Sequence, residues 1–157
     1  MELLKKVSSL LKEKGIKIAT AESCTGGLVG HTLTNIPGSS LYFDRGVISY
    51  SNRAKVELLD VPEDIIERFG PVSEEVARAM AEGIRKKAKV DIGLSVTGIA
   101  GPTGGTKEKP VGLVYIGISH HGGTIVKKFQ FEGDRLTIKE RACEEALRML
   151  LNLLEEK

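Results

Sequence analysis

Apolar residues recur every three or four positions at the start of the chain, a spacing that predicts an amphipathic helix over residues 2–14, ended by Gly15. The apolar run Ile16–Ala21 then predicts a buried strand. A second helix is predicted over residues 26–35, because Pro37-Gly38 cannot continue it. This part of the chain therefore follows the order helix, strand, helix.

The middle of the chain repeats the alternation. Phe43–Tyr50 predicts a second strand, and Ser51 is a suitable cap for the helix that follows. Pro62 suits the first turn of a short helix that ends at Phe69, and Ser73 caps the next helix. Three further runs of β-branched and apolar residues predict strands at residues 92–97, 111–119 and 124–131.

The order of these elements predicts an α/β fold. His120–Gly123 separates the last two strands closely enough for an antiparallel hairpin, and Asp134 caps a long terminal helix. Helices before and after a sheet that has both crossovers and a hairpin indicate a three-layer α/β/α domain with a mixed sheet of about five to six strands. No linker, repeat or low-complexity segment interrupts the chain, so residues 1–157 are predicted to form a single domain.

Composition narrows the function classes. The 157 residues are 41% hydrophobic and 28% charged, with a net charge of only +2, so the basic surface typical of nucleic-acid binding is not expected. No apolar run approaches the roughly 18 residues of a membrane span, and we expect a cytoplasmic protein. The two cysteines lack metal-ligand spacing and the three histidines complete no cluster, so we expect neither a metal nor another cofactor.

The segment Glu22–Gly27 (Glu-Ser-Cys-Thr-Gly-Gly) directly follows the first strand and is the first candidate for chemistry. A serine at such a strand-to-helix elbow is presented outward, beside backbone N–H groups that helix geometry leaves unpaired. Ser23 is thus a candidate nucleophile, and the backbone N–H groups around Cys24–Gly27 are candidate donors to an oxyanion or phosphate. The alternative is that Ser23 is an ordinary turn or cap residue.

Two other segments follow strands in the same way. In Tyr50–Lys55, the lysine lies one turn into a helix and would meet Ser23 if the first two strands are parallel neighbours. Taken alone, Lys55 is equally an exposed helix lysine. The glycine-rich segment Thr97–Thr106 suits a loop wrapped on a ligand, but it lacks the lysine of a P-loop and could be a plain flexible loop.

Taken together, these segments resemble a known family. The matching motifs are Glu22–Gly27, Tyr50–Lys55, Pro71–Glu74, Gly98–Gly105, Lys109–Gly112 and Gly133–Arg135. In this order they are similar to the C-terminal domain of CinA, the competence/damage-inducible protein family, whose stand-alone members are nicotinamide-nucleotide amidases. The resemblance extends from about Leu4 to Leu154, with Pro71 in place of a small residue. The larger N-terminal domain of full-length CinA proteins has no counterpart in it, so we expect none of that domain's activity.

The resemblance implies hydrolysis of the carboxamide of nicotinamide mononucleotide (NMN) to nicotinate mononucleotide and ammonia by a serine–lysine pair, Ser23 and Lys55. Lys55 would have to be buried to act as a base, because a lysine with a pKa of about 10.4 is almost entirely protonated at neutral pH. Tyr50 would relay a proton or orient Lys55, or simply pack at the sheet edge. Cys24 is a rival nucleophile without a histidine partner, and is better explained as a packed thiol.

The predicted substrate-binding residues are Glu22, Cys24, Thr25, Gly26, Gly27, Asn52, Ala100, Gly101, Thr103, Gly104, Gly105 and Arg135. Glu22 could bind the carboxamide, position Lys55 or satisfy the turn. The Gly101–Thr106 loop and Arg135 are candidates for the phosphate. Alternatives to the NMN amidase are a non-catalytic nucleotide-binding or competence-related interaction module, and an amidase with another substrate. We expect a homo-oligomer, most simply a dimer.

Overall fold

A computed structural model describes residues 1–156, and in these residues five strands form one sheet with six α-helices packed on its two faces. The helices are α1 (Glu2–Lys14), α2 (Leu28–Leu33), α3 (Asn52–Leu59), α4 (Glu63–Phe69), α5 (Glu74–Ala88) and α6 (Arg135–Glu155). The strands are β1 (Ile18–Glu22), β2 (Phe43–Ile48), β3 (Ile92–Gly98), β4 (Leu113–His120) and β5 (Gly123–Gln130). The predicted three-layer α/β/α fold with a mixed sheet is confirmed.

The sheet has the order β2-β1-β3-β4-β5. β1 pairs in parallel with both β2 and β3, whereas β3, β4 and β5 are antiparallel neighbours. The expected parallel neighbourhood of the first two strands and the expected hairpin are therefore both confirmed. Because β2, β1 and β3 point the same way, their carboxyl ends and the loops that follow them meet at one edge of the sheet.

Several boundaries differ from the sequence prediction, each for a local reason. β1 begins at Ile18 because Ile16 is still bound to the end of α1, where its N–H donates to the Leu11 carbonyl. α2 begins only at Leu28, since Gly26 and Gly27 adopt positive φ angles of 61° and 104° and form a turn instead of a first helical turn. These differences move no element to another layer.

Each face of the sheet carries its own apolar core. On one face, α6 packs over β3 and β4, α2 packs over β1 and β2, and α1 packs against α6; the buried set includes Leu11, Leu33 and Leu150. On the other face, α5 packs across the sheet, chiefly over β3 and β4, and α3 and α4 pack against α5, with Leu59 and Met80 fully buried. Alternate residues of β1 therefore point to different helical layers.

Gly83 allows the close approach of α5 to α3, the helix that carries Lys55. A Cβ atom at this position would overlap the carbonyl oxygen of Leu59. A backbone oxygen has no rotamer by which to move aside, so a side chain here would displace the end of α3. The absence of a side chain at residue 83 thus helps to fix the position of Lys55.

We predict that Gly83→Ala lowers the free energy of unfolding by about 1–3 kcal/mol, because overlap in a packed interface outweighs the helix propensity of alanine. Denaturant unfolding measures the change. Lys86→Ala, on the exposed side of the same helix, is the control and should stay within about 0.5 kcal/mol of the wild type. A stabilised Gly83→Ala protein would contradict the prediction.

Candidate active site

Ser23 lies at the elbow between β1 and α2. Its backbone N–H donates to the Val96 carbonyl at 2.9 Å, which holds the residue in line with β3, and its side chain is 7% exposed. The chain then turns sharply, with the Gly26 N–H donating to the Ser23 carbonyl at 3.1 Å. Within residues 1–156, the N–H groups of Cys24 and Thr25 have no hydrogen-bond acceptor in the protein. The elbow therefore combines a hydroxyl with two free backbone donors.

Lys55 meets Ser23 from α3, whose first turn is capped by the Ser51 side chain accepting from the Ala54 N–H at 3.0 Å. The Nζ of Lys55 lies 3.3 Å from the Oγ of Ser23, and the lysine is only 1% exposed. The expected proximity of the two side chains is confirmed. The prediction also required burial of the lysine, and the structure provides it.

Two backbone carbonyls orient the amine. Lys55 Nζ donates to the carbonyls of Ser49 at 3.1 Å and Tyr50 at 3.3 Å, both at the end of β2. A neutral amine has two N–H bonds and one lone pair. When the carbonyls accept the two N–H bonds, the lone pair is left for the third neighbour, the hydroxyl of Ser23. The arrangement is that of a base directed at a nucleophile.

Burial has opposite consequences for the two candidate reactive groups beside Ser23. It lowers the pKa of the Lys55 amine, an effect that Cys24 opposes, and so favours the neutral form that can accept a proton. Burial also raises the pKa of the Cys24 thiol to about 12, which keeps this sulfur protonated at neutral pH. Because the thiolate is the reactive form of cysteine, the site favours Ser23 as the nucleophile.

A cavity of about 290 Å³ opens beside this pair. Most of the predicted site residues line it: Ser23, Cys24, Tyr50, Asn52, Lys55, Ala100, Gly101, Thr103, Gly104 and Arg135. They come from the segments after β1, β2 and β3, from α3 and from the start of α6, and the parallel arrangement of the three strands brings these segments to one edge. Segments distant in sequence thus form one concave site.

The remaining predicted residues lie outside the cavity wall. Glu22 points to the opposite face of the sheet, because neighbouring residues of a strand alternate, and its carboxylate accepts from Thr25 and from the first turn of α2. Of the three alternatives for Glu22, the structure shows the one in which it satisfies the turn. Gly26 and Gly27 face Lys139 and Ile48, and Gly105 packs against the backbone of Val111. These five residues, Glu22, Thr25, Gly26, Gly27 and Gly105, therefore do not line the space beside Ser23.

Arg135 links two walls of the cavity. Its Nη1 donates to the Gly101 carbonyl at 2.6 Å and its Nη2 to the Tyr50 hydroxyl at 3.0 Å. The Tyr50 side chain is 60% exposed, and its hydroxyl is directed to the arginine, so Tyr50 contacts Lys55 through its backbone carbonyl. Arg135 thereby holds the glycine-rich loop against the end of β2.

Sequence reasoning missed several residues that support the site. Val72 and Pro71 line the cavity, and the Pro71 carbonyl accepts from the Thr97 hydroxyl at 2.8 Å. The Lys109 ammonium donates to the Phe69 carbonyl and so fixes the far end of the glycine-rich loop. These contacts join residues more than twenty positions apart. No local sequence pattern predicts these contacts, although Pro71 and Lys109 both lie in motifs that indicated the family resemblance.

The described part of the chain contains no helix that is long and apolar enough to cross a membrane. Nor do residues 1–156 contain a group of three or more histidine, cysteine, aspartate or glutamate side chains placed to hold a metal ion.

Comparison with known proteins decides the family. The family model for the CinA C-terminal domain matches residues 1–154. The chain belongs to the CinA C-terminal domain family. It is 57% identical over 141 residues to a CinA-like protein of Kosmotoga olearia, covering 90% of this chain and 34% of that protein. It is 54% identical over 144 residues to a putative competence-damage inducible protein of Caldicellulosiruptor saccharolyticus, covering 92% of this chain and 35% of that protein.

Solved CinA structures have the same fold. The competence/damage inducible protein CihA from Agrobacterium tumefaciens superimposes with a TM-score of 0.95 at 38% identity, covering 99% of this chain and 94% of that one. A CinA superfamily protein from Klebsiella pneumoniae gives 0.94 at 31% identity, covering 98% and 96%. The CinA domain described here thus spans about a third of the length of the curated relatives that it matches, but nearly all of these solved chains.

Replacing Lys55 by methionine tests the buried amine without an assay of activity. Because burial lowers the pKa of Lys55, the folded protein binds fewer protons here than the unfolded chain, between the lowered pKa and the ordinary value near ~10.4. We predict that the free energy of unfolding of the wild type rises with pH across this window, relative to Lys55→Met. At pH values below the window, the amine is charged in both the folded and the unfolded protein, so folding carries the full cost of burying that charge. At pH values above the window, the amine is neutral in both states and this cost disappears.

Denaturant unfolding of the two proteins at several pH values from about 7 to about 10 measures the difference. Lys86→Met, which removes an exposed lysine from α5, is the matched control and should give a difference that does not change with pH. The same constant difference for Lys55→Met would show that the buried amine titrates like an exposed one.

Proposed function

We propose that this CinA domain is an amidase that hydrolyses the carboxamide of NMN to nicotinate mononucleotide and ammonia. The observation that carries the proposal is the buried Lys55 amine, oriented by two carbonyls toward the hydroxyl of Ser23 at the wall of a cavity. A module that only binds a ligand has no use for a desolvated lysine against a serine. The resemblance of the site motifs to stand-alone CinA amidases supplies the substrate.

In the first half of the reaction, Ser23 Oγ attacks the amide carbon while neutral Lys55 accepts the hydroxyl proton. The amide oxygen becomes an oxyanion, and the free N–H group of Cys24, a residue of the cavity wall, is the backbone donor available to it. Protonated Lys55 then gives its proton to the nitrogen as the carbon–nitrogen bond breaks. Ammonia leaves, and the nicotinoyl group remains as an ester on Ser23.

In the second half, a water molecule takes the place of ammonia. Lys55, neutral again, accepts a proton from this water as its oxygen attacks the ester carbon. The proton returns to Ser23 Oγ when the ester bond breaks, which releases nicotinate mononucleotide and restores the starting state. The same two side chains therefore act in both halves of the reaction, and water is the only co-reactant.

The mononucleotide requires donors for its phosphate and ribose. Arg135 is the cation at the exposed part of the cavity wall, and the loop from Gly101 to Gly104 lies beside it. We propose that Arg135 and the backbone N–H groups of this loop bind the phosphate, and that Asn52 contacts the ribose from the opposite wall. Lys55 is left free of the phosphate because it is buried behind Ser23.

A second candidate function is a non-catalytic interaction module. It is favoured by the names of the matched relatives, which refer to competence and to damage induction and not to an enzyme. The two functions are distinguished by ammonia release from NMN. A homodimer and a cytoplasmic location remain predictions for either function.

We predict that Ser23→Ala lowers NMN turnover by at least about 1,000-fold, whereas Cys24→Ala keeps most of it. The reason is that the serine has an oriented base and the thiol, with its pKa raised to about 12, is not ionised at neutral pH. Ammonia release from NMN is the measurement, with circular dichroism to show that both variants are folded. Equal losses in the two variants would remove Ser23 from the role of nucleophile.

We predict that kcat/KM of the wild type rises with pH through an apparent pKa below the ordinary lysine value, because only the neutral amine accepts a proton. Lys55→Arg supplies a permanent positive charge, because a guanidinium group stays protonated. Arginine therefore cannot accept the proton of Ser23. The variant should still bind NMN, measured by calorimetry, while its kcat falls by about 100- to 10,000-fold. Substantial turnover with the wild-type pH dependence would mean that Lys55 only attracts the anionic substrate.

A further inference from the structure

Glu22 is a buried carboxylate for which the proposed mechanism has no use. It directly precedes Ser23, it is 1% exposed, and no basic side chain lies within ion-pair distance of it in the described chain. A buried carboxylate is costly unless hydrogen bonds compensate its charge. This one receives three hydrogen bonds, all from the segment that follows Ser23.

One of the three donors lies in the elbow and the other two lie in the first turn of α2. Oε1 accepts from the Thr25 hydroxyl at 2.6 Å and from the Val29 N–H at 2.9 Å, while Oε2 accepts from the Gly30 N–H at 2.9 Å. Val29 and Gly30 belong to the first turn of α2, whose own N-cap, Gly27, has no side chain to offer. Glu22 therefore caps this helix from the end of β1.

These hydrogen bonds close a loop of backbone that contains Ser23. The chain leaves Glu22, passes through Ser23 and the turn, and returns to the Glu22 carboxylate at Thr25 and again at Val29. The carboxylate satisfies the N–H groups of Val29 and Gly30, and the N–H group of Cys24 has no acceptor in residues 1–156. The placement of the Ser23 hydroxyl and of the Cys24 N–H group thus depends on the same carboxylate.

We propose that Glu22 and Thr25 are positioning residues for the nucleophile: the carboxylate and the hydroxyl together hold the elbow in the geometry in which Ser23 reacts. Neither contacts the cavity, and both act through the backbone of Ser23–Gly27. This inference rests on the proposed function only in taking Ser23 as a nucleophile. It does not require that NMN is the substrate.

Thr25 offers the sharper experiment, because α2, which follows the elbow, contains a second buried threonine that serves as a control. Thr25→Val removes the hydroxyl at nearly constant volume, and Thr25→Ser restores it. Thr32 is a buried threonine of α2, whose hydroxyl lies away from the cavity, donates to the Leu28 carbonyl at 2.7 Å and accepts from the Cys143 thiol at 3.5 Å. Thr32→Val therefore removes a buried threonine hydroxyl that makes no contact with Glu22 or Ser23. Glu22→Gln is the companion variant, in which an amide replaces one accepting oxygen.

Two rates are measured on each folded protein. The first is NMN turnover, resolved into kcat and KM. The second is the rate at which a fluorophosphonate probe labels Ser23, followed by mass spectrometry of the intact protein. In the labelling step the serine oxygen bonds to phosphorus, fluoride leaves and Lys55 takes the proton, so this rate reports the nucleophile independently of NMN. Ser23→Ala shows that the label is on the expected residue.

We expect Thr25→Val and Glu22→Gln to lower both kcat and the labelling rate by about 10- to 100-fold, because a small displacement of a reacting group has effects of this size. KM should stay within about 3-fold of the wild type, since the cavity wall is unchanged. Thr25→Ser should recover most of the loss, and Thr32→Val should match the wild type in both rates.

The inference is overturned if Thr25→Val and Thr32→Val behave alike, if serine fails to rescue residue 25, or if Ser23 of the wild type is not labelled. A wild type that is labelled but releases no ammonia from NMN contradicts the proposed substrate alone, and the labelling rates then decide the role of Glu22 and Thr25. If Glu22→Gln does not fold, the three threonine variants still give the answer.

Discussion

The candidate site depends on one physical constraint: an amine is held out of water against a hydroxyl. Lys55 is almost fully buried, and its Nζ has only the Ser23 hydroxyl and the carbonyls of Ser49 and Tyr50 as hydrogen-bond partners in the described chain. Within residues 1–156, no aspartate or glutamate lies within ion-pair distance of this amine. The amine therefore gains little from protonation, and this is the property that a lysine requires in order to act as a base.

The sheet creates this environment. Because β1, β2 and β3 run in parallel, the turn after β1, the carbonyls at the end of β2 and the loop after β3 meet at one edge. α3 then crosses back over that edge with Lys55 on its inner side, and the contact of its last turn with Gly83 of α5 keeps it there. Packing far from the cavity thus determines whether the lysine is exposed or buried.

At the end of β1, neighbouring residues on opposite faces of the strand have different functions. Ser23 lies on the side of α3, where it meets Lys55, while its neighbour Glu22 lies on the side of α2, where it binds the start of that helix. Because successive side chains of a strand point to opposite faces, the reactive group and the carboxylate that supports it lie on opposite sides of the same backbone. At the exposed edge of the cavity, Arg135 connects Tyr50 to Gly101 through its two hydrogen bonds.

Much of this was determined by the sequence alone. Local patterns predicted the layers and the hairpin, because hydrophobic periodicity and turn residues act over a few positions. The family was indicated by the resemblance of the motifs to CinA domains. Ser23, Lys55 and the glycine-rich loop were also predicted, since each lies in a segment that comes after a strand. Tertiary structure decided what periodicity cannot: the burial of Lys55, the direction of the Tyr50 hydroxyl and the role of Glu22. Exposure and hydrogen-bond partners depend on which distant segments pack together, and a single sequence pattern carries no record of them.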